Sequence, residues 1–176
     1  MKRLLLAALL LTSATFSSLR AEEGKVAAGN LTFTLPATSW KEVPSSSSMR
    51  AATLQIPVEG AEQPLEVVFF YFGGGQGGDT NANVQRWLGQ FQSPPESKTE
   101  ELEAGDKKVT LVTATGTFMD GPMMAPKTPK ANYTLLGAIV PGPEANVFVK
   151  LTGPKDAVAK IAGDFKKLVT SPFASK

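Results

Sequence analysis

Between Phe72 and Val84 the chain reads GGGQGGDTNAN, and here residue types and spacing come closest to a chemical motif. Gly73, Gly75 and Gly78 satisfy GxGxxG, the spacing that lets a pyrophosphate approach a helix N-terminus. Several features oppose a dinucleotide site. Glycine fills five of the six positions 73–78, so the pattern is met almost automatically. Asp79 places an anion where phosphate would sit, and Arg50 is the sole basic residue between Lys41 and Arg86. The flanking segments do not read as a βαβ crossover, and no GK[ST] follows, which excludes a Walker A loop. Two readings remain. In the geometric one, glycines reverse the chain with positive φ and bring a helix close to a sheet. In the binding one, exposed helix-terminal amides with Asp79, Asn81 and Asn83 line a cleft for an acidic group. Arg86 and Gln90 continue that polar surface along the helix, where Arg86 could clamp a carboxylate, tie down a loop or face water.

Met119, Met123 and Met124 form the second unusual cluster. Thioethers are soft ligands for Cu(I), but no Cys or His stands by to complete a site, so an adaptable apolar contact surface for a partner is favoured over a metal, and a simply packed loop over both. Paired carboxylates for a hydrolase require two acids across a cleft, and Asp79 with Asp120 is the pair worth testing. The chain holds no histidine and no cysteine. That removes the commonest general base, the usual zinc ligands and the Ser-His and Cys-His nucleophile pairs. No metal and no cofactor is expected.

The elements that must position these residues follow from pattern. The 176 residues suffice for one domain with a real core. Residues 1–21 read as a signal peptide, with basic Lys2 and Arg3, apolar Leu4–Leu11 and small or hydroxylated Thr12–Ser18. Cleavage after Ala21 is expected, with Ala14 the competing site. The apolar run is too short to span a membrane, which takes about 20 residues. Removal of the segment leaves 15 basic against 16 acidic residues, so the basic pI is no nucleic-acid footprint. An exported chain without cysteine must be held by its core alone.

Residues 22–30 read as a flexible lead-in. Leu31–Leu35 alternates as a half-buried strand stopped by Pro36, with Trp40 folding back as a plug on the core edge. Met49–Ile56 and Leu65–Phe72 are strands. The second is apolar on both faces, so it is covered on both sides or meets a partner. A helix follows the glycines, with Asp79 or Thr80 as N-cap and Val84, Trp87, Leu88 and Phe91 in one stripe. Lys98–Glu103 and Lys107–Phe118 form a hairpin whose first arm is charged, as suits an edge. Met119–Lys130 reads as a long loop. Ala131–Val140 and Asn146–Thr152 pair, and Gly153-Pro154 opens a last helix with Pro154 at its first position. Val158, Ile161, Phe165 and Leu168 form the inner stripe of that helix. The order is β-β-β-α-β-β-β-β-α, an α+β domain over residues 31–172 with a mainly antiparallel sheet of about seven strands.

LPATSW, MRAATLQIP, the mid-chain helix and the Gly-Pro-initiated C-terminal helix together resemble the PsbP-like α/β/α sandwich. The blocks GGGQGGDTNANVQRWLGQF, LLGAIV and KLTGPKDAV are similar to uncharacterised exported bacterial proteins. The resemblance implies a non-catalytic binding or accessory domain and assigns no functional residue. The expectation is therefore a periplasmic or secreted binding domain that takes a protein or small ligand through the Gly73–Asn83 and Met119–Lys130 loops. A carboxylate-based hydrolase and an envelope scaffold are the alternatives.

Overall fold

The computed structural model describes residues 24–121 and 125–174. The expected signal segment, Met123 and Met124 lie outside the described residues. Among the described residues, nine strands, two α-helices and a short 3-10 turn at Ser171–Phe173 form an α+β fold. Strands β1 (Lys25–Ala28) and β2 (Leu31–Thr34) make a separate hairpin. The main sheet is antiparallel, in the order β3 (Lys41–Val43), β4 (Ala52–Ile56), β5 (Leu65–Tyr71), β9 (Val147–Pro154), β8 (Thr128–Val140), β7 (Lys107–Asp120) and β6 (Glu96–Ala104). Helix α1 (Thr80–Leu88) follows β5, and α2 (Lys155–Thr170) follows β9.

The sheet has seven strands, but not the seven expected. The Leu31 strand leaves it to pair with β1, which forms within the segment read as a loose lead-in. Alternation there is hidden by small residues: Val26 and Ala28 are buried while Lys25 and Ala27 are exposed. β3 takes the vacant edge, a three-residue strand too short to show a period. Pro154 ends β9 and caps α2 instead of occupying its first turn.

Strand alternation divides the core in two. One face of the sheet carries Leu54, Phe69, Leu111, Ala138 and Leu151, buried under α2 and the β1–β2 hairpin. The α2 stripe of Val158, Ile161, Phe165 and Leu168 is buried there as its periodicity requires, and Trp40 plugs the edge at 3 % exposure. The opposite face carries Val112, Ala114, Leu135 and Ile139 under α1. Helix α1 is nine residues long and lies mainly over β7 and β8, with Phe148 of β9 in its cluster, so among the described residues much of the β4–β5–β9 part of this second face is left uncovered by it. No helix among the described residues is long and apolar enough to cross a membrane.

β7 and β8 run past their neighbours. β6 pairs with β7 only as far as Thr115, and β9 pairs with β8 only down to Tyr133. Beyond them, Phe118–Asp120 and Thr128–Lys130 continue as a two-stranded ribbon. The expected Met119–Lys130 loop is therefore shorter than its composition suggests. Pro129 is compatible with pairing because β8 is locally an edge there. The register shifts between Gly116 and Phe118, and Asn132 has φ 56°, so the ribbon bends at a bulge.

Candidate functional site

The glycine loop is a piece of architecture. Gly73, Gly75, Gly77 and Gly78 all have positive φ, between 71° and 91°, where a side chain is strained. The Asp79 carboxylate accepts the Ala82 amide at 2.8 Å as the N-cap of α1. Asn83 is 2 % exposed, and its Nδ2 donates to the carbonyls of Gly77 at 2.7 Å and Asp79 at 2.9 Å. Its Oδ1 accepts from the Arg86 guanidinium at 3.0 Å. Asn83 and Arg86 thus lock the loop onto its helix, and Asn81 is exposed outside that network. The loop ends where α1 can lie flat: Trp87 packs on Gly137 of β8, where a Cβ would stand 2.5 Å from the indole.

The open part of the second face forms a groove of about 1040 Å³. β5 gives its floor Val68 and Phe70, and β9 gives Lys150 and Thr152. The ribbon gives one wall, with Phe118, Met119, Asp120 and Lys130. The chain leaving α1 is zipped to that ribbon, Met119 N donating to Gln90 O at 2.9 Å and Gln92 N to Thr117 O at 2.9 Å. The 59–66 segment and the start of α2 close the far end.

Of the residues singled out in the sequence, Gln90 and Met119 line this groove, while Asp79, Asn81, Asn83 and Arg86 do not. Asp120 lines it without Asp79, so the carboxylate pair is not brought to one cavity. Among the described residues, no group of three or more His, Cys, Asp or Glu side chains is disposed to hold a metal ion.

Lys150, passed over in the sequence, is the central group. β9 is the fourth of seven strands, and Lys150 lies between Val68 of β5 and Gly137 of β8. Its Nζ donates to Gln90 Oε1 and stands 5.2 Å from the centre of the Phe118 ring. Burial pulls its pKa down to about 8; Asp120 acts against that shift, and Lys127 and Arg50 act with it. The available signal was a lone charge in VFVKLT, a strand otherwise apolar or uncharged. No known protein-family model matches the chain, and no curated protein is detectably similar to it in sequence.

Proposed function

We propose that this is an exported, non-catalytic binding domain of the PsbP-like sandwich type, and that it works through the groove on the second face of its sheet. The carrying observation is that α1 covers only part of that face and leaves about 1040 Å³ over the sheet centre. Ligand sites are concave, partly apolar and built from a few placed polar groups, and Val68, Phe70, Phe118, Gln90 and Lys150 form such a set. One helix on each face of an antiparallel sheet supports the resemblance to the sandwich. The basic start and apolar Leu4–Leu11 support export.

Of the two segments first expected to bind, the ribbon joined by residues 121–127 contributes a wall of the groove. The glycine loop contributes indirectly, by holding α1 where it leaves the groove open. Thr152→Trp, which fills the floor, tests the reading. Compounds from a small-molecule panel are expected to raise the melting temperature of the natural protein and to lose that effect in the variant. A panel without a single stabilising compound, or stabilisation surviving in Thr152→Trp, overturns it. Export is tested by the mass of the mature chain in a fractionated host, expected to begin at Glu22; an intact Met1 in the envelope fraction contradicts it.

A further inference from the structure

Lys150 sits where an ammonium is hard to accommodate and has no ion-pair partner among the described residues. It is half-buried at the middle of the sheet, and among the described residues no carboxylate is within ion-pair distance of its Nζ. Charges drawn partly out of water are favoured by an opposite charge nearby. The groups that do touch it, the Gln90 amide oxygen and the Phe118 ring, orient the ammonium and leave its charge in place.

The charges lining the groove balance in number, Arg50, Lys127, Lys130, Lys150 and Lys160 against Glu59, Glu62, Glu66, Asp120 and Asp156. Arg50 is held by Glu66 at 3.2 Å. Lys127 donates to the Gly121 carbonyl at 2.5 Å, and Asp120 is the carboxylate that Lys150 feels from a distance. What Lys150 offers a ligand is therefore its own ammonium rather than a net charge of the groove, and Tyr133 adds only a phenol. Val68, Phe70 and Phe118 supply apolar surface beside the ammonium.

We infer that the groove takes a small amphiphilic carboxylate, its acid group on Lys150 and its apolar body along Val68, Phe70 and Phe118. This rests on the groove being the binding site and names what it takes. A bare oxyanion would leave the apolar floor wet, and a neutral amphiphile would leave the ammonium unpaired. A bound carboxylate also opposes the effect of burial, so it restores Lys150 toward its ordinary pKa.

The test compares octanoate, 1-octanol and inorganic phosphate at one ionic strength. Calorimetry reads affinity, and the lysine side-chain NMR signal of Lys150 reads its titration. Octanoate is expected to bind, to raise the Lys150 midpoint, and to bind about tenfold or more weakly to Lys150→Met. Lys150→Arg, which keeps the charge, is expected to retain most of the affinity. Absence of octanoate binding, unchanged binding in Lys150→Met, or equal affinity for octanol or phosphate overturns the inference. The two readings fail separately. Octanol matching octanoate but excluded by Thr152→Trp removes the carboxylate and keeps the groove, whereas octanoate indifferent to Thr152→Trp removes the groove itself.

Discussion

Lys150 is a residue the fold would be more stable without. Its folded pKa of about 8 lies below the ordinary lysine value of 10.5. Below about pH 8 both folded and unfolded chains carry the proton, and the burial penalty is present in full. Between about 8 and 10.5 the unfolded chain holds a proton that the folded chain has released, so stability rises with pH across that window. Above it both are neutral and the penalty is gone. Lys150→Met is therefore expected to stabilise the protein at pH 7 by about 1–3 kcal/mol, less what the Gln90 hydrogen bond contributed. Urea melts of both proteins at pH 7 and pH 10 check this; the advantage must shrink at the higher pH, and no advantage at pH 7 rejects the account. Asn83 behaves in the opposite way. It is buried with both ends of its amide engaged, so Asn83→Ala is expected to lose about 1–3 kcal/mol. Octanoate affinity is expected to be unchanged in the fraction that folds, because Asn83 does not line the groove. A selective loss of affinity would restore the glycine loop as a binding element.

Helix α1 is seated by absent side chains on its partner strand. Trp87 occupies the space over Gly137, and Phe91 lies against Gly116, where a Cβ would come within 3.3 Å of its ring. Gly137→Ala must push the indole aside, and overpacking of this kind costs about 1–3 kcal/mol. The expected result is a lower denaturation midpoint with altered Trp87 fluorescence; an unchanged midpoint shows that the helix can ride up freely. This element was legible in the sequence because each part has a local cause: four positive-φ glycines, an Asp79 cap and an apolar stripe of helical period. The charged edge strand β6 and the α2 stripe were legible for the same reason. The rest depends on neighbours. β3 is too short to carry a period, β2 carries no mark of the sheet it leaves, and the prolines of the ribbon read as breakers when only one side needed pairing. Lys150 drew no reading within the Asn146–Thr152 strand. Its meaning comes from lying on the central strand, beside a part of the face that α1 leaves open.

At the scale of the molecule, the two faces are unequal in what holds them. Among the described residues, twenty-six buried apolar residues form the core under α2 and the β1–β2 hairpin, and nine form the core under α1. Helix α2 brings 16 residues with six of them buried, whereas α1 brings nine with three, one of which is Asn83. The free energy of local opening follows the apolar contacts that opening breaks. Detachment of α1 with the glycine loop breaks the smaller core; detachment of α2 exposes Phe33, Phe69 and Phe165 and amounts to global unfolding. The groove belongs to the weaker face, because the short helix that leaves it open is also the one least held. Native-state hydrogen exchange is expected to show the Val84–Leu88 amides opening below the global free energy, with α2, β8 and β9 exchanging only through complete unfolding. A ligand bridging the floor and the Gln90 wall should slow exchange in α1 first, since it ties the chain leaving that helix to the central strand. Amides of α1 as slow as those of β9 in the free protein would mean that both faces open together, and the division into a sealed side and a yielding side would be wrong.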